Sequence, residues 1–92
     1  MPSSLDEYRC KLINAILLAG SQEEVTRFCD AAMKGLDHYN VYGRIVSGLV
    51  EKTINDLEQF NPIDKDAQQW SNIRIARIIF KRIRQGINTP AD

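Results

Sequence analysis

Five cations on one helical stretch are the residues of this chain best suited to chemistry: Arg74, Arg77, Lys81, Arg82 and Arg84. Between Ala67 and Thr89 no acid accompanies them, which gives +5, whereas Met1 to Asp66 carries seven Lys or Arg against eleven Asp or Glu. Asp92 brings the formal net charge to zero. At 100° per residue Arg74, Arg77, Lys81 and Arg84 fall within one quadrant, with Trp70 on the same strip, so guanidinium groups could grip phosphates while the indole stacks on a base or sugar. Against that stands a sequence pI of about 6.6, where nucleic-acid-binding domains are usually basic. The acids upstream can neutralise the strip from within the molecule. The first reading is therefore a solvated or internally paired strip, and an anion or nucleic-acid site is the second.

Acid–base and nucleophilic chemistry has little to stand on. His38 is the only histidine, and sequence adjacency alone does not let Asp37 orient its ring. No GxSxG, HExxH, phosphate loop or GxGxxG occurs, so no catalytic residue, cofactor or metal is assigned and the chain is read as non-enzymatic. An enzyme would need a pocket converging on His38. The carboxylate pairs Glu23–Glu24 and Asp64/Asp66 sit at helix starts, where compensation of the helix dipole explains them. Cys10 and Cys29 lack CxxC spacing and are expected as buried free thiols. A hairpin turning at Gly20 would set position 10 opposite 29 or 30, which makes a disulfide sterically conceivable but, in a reducing compartment, open.

Four amphipathic segments must position these groups. Ser4-Leu5-Asp6-Glu7 reads as a capping box opening the first helix, with Leu5, Tyr8, Leu12, Ala15, Ile16 and Ala19 on one face and Leu18 on the polar side. Ser21 and Glu24 repeat the device for a second helix, whose inner face is Val25, Phe28, Cys29, Ala32, Met33 and Leu36 and which Gly35 and Asp37 should end. A third carries Tyr42, Val46, Leu49, Val50, Thr53, Ile54, Leu57 and Phe60 inward, with Gly43 and Ser47 small enough to admit a close neighbour. Pro62 stops it. Asp64 is the expected cap of the last helix, closed by Gly86 and Pro90. In that helix Ile73, Ala76, Ile79, Phe80, Ile83 and Ile87 form one face, and Ile75 and Ile78 widen it.

The expected fold is all-α, a compact four-helix domain spanning 1–92. Its helices run at about 4–19, 21–35, 41–60 and 65–85, with two shorter N-terminal helices as a tight hairpin and two longer C-terminal ones, as in a helical bundle. The long pair, roughly 30 Å each, should overhang the short pair and leave apolar surface for a second copy. The longest uninterrupted apolar run, Ala15 to Ala19, is far short of the roughly 18 residues a membrane span needs, and the start lacks signal-peptide character, so a cytoplasmic location is expected. The function expected is protein–protein contact, as a self-associating adaptor or regulatory subunit. A homodimer would use Leu18, Ile75, Ile78 and Arg82, with another protein as a possible partner. The alternative is nucleic-acid binding through Trp70, Arg74, Arg77, Lys81 and Arg84.

Overall fold

A computed structural model of the chain describes residues 5–38 and 43–88. It has four α-helices, α1 (Leu5–Leu18), α2 (Gln22–His38), α3 (Arg44–Glu58) and α4 (Ala67–Asn88), with a short 3-10 turn at Pro62–Asp64, and among the described residues no strand. The all-α compact bundle expected from the periodicity is what forms. The proposed cap Ser4, the connector residues Tyr39, Asn40, Val41 and Tyr42, and Pro90 lie outside the described residues.

The boundaries follow local chemistry, and several differ from expectation. At the α1–α2 corner Glu24 N–H donates to Ser21 Oγ at 3.2 Å, while Gly20 N–H donates to Glu24 Oε1 at 2.7 Å. The carboxylate thus reaches one residue further back than in an ordinary capping box. α2 does not stop at Gly35; it runs on to His38, placing Asp37 and His38 in its last turn. Gly35 instead makes room for a ring, since a Cβ there would lie 2.6 Å from Tyr8 Oη. Gly43 likewise admits no neighbouring helix: none of the described residues lies within 4 Å of its Cβ position, and its φ of +68°, strained for other residues, sets the chain direction at the α3 start.

At the second corner Gln59 closes α3, and Asn61 Oδ1 accepts from Ile63 N–H at 3.0 Å to start the 3-10 turn that Pro62 opens. Lys65 Nζ sits 5.0 Å over the Phe60 ring. The cap of α4 is Asp66, not Asp64. Asp66 Oδ1 accepts from Gln69 N–H at 2.8 Å and Gln69 Oε1 accepts from Asp66 N–H at 3.4 Å, a reciprocal box that Asp64, inside the 3-10 turn, cannot make. Gly86 does not close α4, which continues to Asn88.

α4, at 22 residues, is the one long helix, about 33 Å. α3 has 15 residues against 17 in α2, so the expected pair of long C-terminal helices is in fact a single one. α4 packs against all three others and α1 also touches all three, while α2 and α3 face each other across that pair. Of the helices adjacent in sequence, α1 packs on α2 and α3 on α4, whereas α2 and α3 are not neighbours. Arg84 with Glu51 and Arg77 with Glu58 set α4 antiparallel to α3, and Arg9 with Asp56 sets α1 alongside α3.

The core joins every helix: Leu12 and Ile16; Val25, Cys29 and Ala32; Val50, Ile54 and Leu57; Ile73, Ala76 and Phe80. Phe80, Ile16, Leu57 and Ile73 are fully buried, each contributing about 1.5–3 kcal/mol of transfer free energy. Thr53 enters this interior by giving its hydroxyl proton to the Leu49 carbonyl at 2.7 Å. Arg9 ties α1 to α3 at the rim: its Nε donates to Asp56 Oδ2 at 2.6 Å and a terminal nitrogen to Asp6 Oδ1 at 2.7 Å. Both carboxylates favour the cation, raising the Arg9 pKa, and Arg9 holds Asp6 below its ordinary range.

Candidate interaction surface on the last helix

α4 meets its neighbours with different sides, and this sorts its charges. Ile73, Ala76 and Phe80 point into the core. Asn72 joins them, fully buried, its Nδ2 donating to the Ala19 carbonyl at 2.8 Å and its Oδ1 accepting from Gln68 at 2.9 Å. The side turned to α3 carries Arg77, Lys81 and Arg84. Glu58 Oε2 lies 3.0 Å from Lys81 Nζ and 3.5 Å from an Arg77 nitrogen, and Glu51 Oε1 lies 3.3 Å from Arg84. The Lys81 hydrogen bond, followed by its charge, holds the Glu58 carboxyl below its usual range, with the Arg77 and Arg84 charges adding to it. Three of the five cations thus face two acids of the same chain.

Arg74 and Arg82 remain on the outward side, both exposed, and neither makes an ion pair among the described residues. Between them stands Ile78, with 53% of its surface exposed. Arg74, Ile78 and Arg82 follow one another at intervals of four, a single inclined row along the helix surface. Arg74, Arg77, Ile78 and Lys81 line a shallow open depression at its middle.

The strip read from the sequence therefore divides. Arg77, Lys81 and Arg84 are rim groups against α3, and Trp70 is half-buried against the core. Arg82, expected at a dimer surface, is exposed beside Ile78 on the outward side. Of the other residues expected at a dimer surface, Ile75 is half-buried against the core and Ile78 exposed, while Leu18, 81% exposed, belongs to the end of α1. Sequence reasoning missed Glu58 and Glu51 as partners, although their seven-residue spacing places both on one side of α3.

His38 is exposed at the end of α2. No group of three or more His, Cys, Asp or Glu among the described residues could hold a metal ion, and no helix of the described residues is long and apolar enough to cross a membrane. Cys29 is buried as expected and its thiol is pushed up to about 12 by burial, but Cys10 is exposed, because its position on α1 opens onto a groove shared with Ile13, Asn14, Asp56, Gln59 and Phe60. Both thiols are free. Compared with known proteins, the chain matches no family model, no curated protein and no solved structure.

Proposed function

We propose that this chain is a small non-enzymatic helical module that works by protein–protein contact through the outward side of α4. The observation that carries the reading is Ile78, half-exposed in mid-helix and set between two cations that no acid among the described residues engages. An isolated exposed Ile needs no explanation by itself. Its place at the centre of a charged row on the longest helix is what favours a recognition surface.

Self-association is the narrower form of this reading, and the packing of α4 leaves it little surface. It relied on a wide apolar face of α4, yet Ile73, Ala76 and Phe80 are consumed by the core and Ile75, Ile79 and Ile83 are half-buried against it. A stable dimer buries about 1,200–2,000 Å². One half-exposed isoleucine is a small fraction of that, and a dimer would have to recruit further exposed apolar residues away from α4, such as Leu18, Ile45 or Ile63. Sedimentation of the wild type against Ile78→Glu decides the point: a dimer that the variant dissociates supports self-contact through α4, and a monomer in both retires it.

Nucleic-acid binding is the alternative. A polyanion lying along the basic strip would pass Glu58 and Glu51, which already occupy three of its cations. Gel shifts with mixed DNA and RNA at about 50 mM salt test this, since phosphate contacts are strong there and fall steeply by about 200 mM. The contact reading expects no shift; a shift abolished by Arg74→Glu with Arg82→Glu would overturn it.

A further inference from the structure

We propose that the Arg74–Ile78–Arg82 row docks an acidic amphipathic helix from a different protein, one that presents an apolar side chain between two carboxylates seven or eight residues apart. This deepens the preceding reading and rests on it.

The spacing comes from the helix itself. Positions 74 and 82 are separated by about 12 Å along the axis, with position 78 midway, so the row is cation, apolar, cation at one inclination. A facing helix satisfies it only with the inverse order over the same length. Carboxylates two turns apart supply that, and an aliphatic residue between them covers the exposed half of Ile78.

Charge also argues against a second copy as occupant. In an antiparallel symmetric pairing centred on Ile78, Arg74 faces Arg82 of the other copy at both ends of the row. In a parallel pairing Arg74 faces Arg74, and Arg82 faces Arg82. Like charges directly opposed disfavour either arrangement, and neither brings an acid to the row. An extended polyanion fits less well than a helix because the α4 cations that no acid among the described residues engages lie on the outward side, while Glu58 borders the depression through Arg77 and Lys81. A helix whose carboxylates sit only at the ends of the row avoids Glu58. The contact is small, so it is of the transient class, formed fast by charge steering and weakened by salt.

The experiment is amide shift mapping on isotope-labelled protein with short synthetic helices that carry Glu, Leu and Glu at successive intervals of four, compared with versions carrying Gln or Lys at both Glu positions. The Glu helix is expected to move amides of the outward side of α4 between Ser71 and Gln85. In Arg74→Glu with Arg82→Glu, both exposed sites, its affinity should fall about ten-fold at low salt while the Lys helix gains what it lost. That exchange of preference reports charge recognition and not a loss of fold. Equal binding of the Gln helix, shifts elsewhere on the molecule, or no shifts at millimolar peptide would overturn the proposal. If the peptides fail but Ile78→Glu dissociates a sedimenting dimer, the partner chemistry is wrong and the contact surface stands. If a short duplex moves the same amides with steep salt dependence while the peptides do not, both fall.

Discussion

The Asn72 side chain on α4 holds the last carbonyl at the α1 terminus, Ala19 O, at 2.8 Å across a sequence separation of 53 residues, and Asn72 is fully buried. Helix ends leave backbone carbonyls unsatisfied, and here a side chain of another helix supplies the donor. Gln68, one turn earlier on α4, donates to its Oδ1 at 2.9 Å and keeps the amide facing that way. The pair therefore locks the α1–α2 corner onto α4.

Replacing Asn72 by Leu should cost about 1–3 kcal/mol, because it strands the Ala19 carbonyl without its partner in a water-excluded site. Asn72→Asp should cost at least as much, since a buried carboxylate cannot donate. Urea unfolding at neutral pH measures both. A Leu variant as stable as the wild type would show that water reaches the α1 terminus.

Gly35 and Tyr8 make a second pair whose coupling can be read directly. Tyr8 Oη donates to the Ala32 carbonyl at 2.6 Å and stands 2.6 Å from where a Gly35 Cβ would be. Gly35→Ala should therefore destabilise by about 1–3 kcal/mol through overpacking, despite alanine's better helix propensity. In a Tyr8→Phe background most of that penalty should disappear, giving a coupling of about 1 kcal/mol or more. Gly48→Ala is the control: it is exposed in mid-α3 with nothing within 4 Å, so alanine should stabilise by about 0.5–1 kcal/mol. Additive losses at Tyr8 and Gly35 would break the argument.

These pairs also mark what the sequence could and could not convey. Periodicity placed Val25, Cys29, Ala32 and Leu36 on the inner face of α2, and all four are buried. The polar-to-apolar pattern fixes such faces because burial depends on residue type. It misjudged Gly35 as a stop, since glycine ends a helix or admits a neighbour with the same letter, and only the Tyr8 ring decides which. Asp64 and Asp66 are equal as caps in one dimension, and the 3-10 turn at Pro62 chose between them. On α4 the wheel grouped Arg74 with Arg77, Lys81 and Arg84, but whether a cation at the edge of a strip meets water or an acid depends on where α3 lies. That α2 and α3 are not neighbours has no local signature.

Acid titration should expose the shared carboxylate. Glu58 is held below the ordinary carboxylate range by Lys81 and then Arg77, so the folded state binds its proton less readily than the unfolded state. Its contribution is present above the unfolded pKa and is lost as pH falls through the lower, folded value. Glu58→Gln should therefore flatten the acid side of a stability–pH profile, leaving the part due to Asp6, which Arg9 depresses in the same sense. Because Glu58 is 41% exposed at its side chain, added salt should shrink the difference. Urea midpoints from neutral pH down to the carboxylate range, for wild type, Glu58→Gln and Glu58→Gln with Asp6→Asn, check it. Parallel profiles in all three would sink the idea.

Thiol reactivity should separate the two cysteines cleanly. Reaction needs the thiolate, and Cys29 combines full burial with a thiol pushed up to about 12. Cys10 is exposed at the groove beside Asp56, Gln59 and Phe60. With a disulfide-exchange reagent at mildly alkaline pH, the folded protein should therefore release one equivalent quickly, and the second only at the rate at which the core opens. In denaturant both should react together. A Cys10→Ser variant isolates the slow phase, whose rate should rise in Asn72→Leu, because weakening the α1–α4 lock raises the open population through which Cys29 is reached. Rapid labelling of Cys29 in the native Cys10→Ser protein would contradict its place in the core.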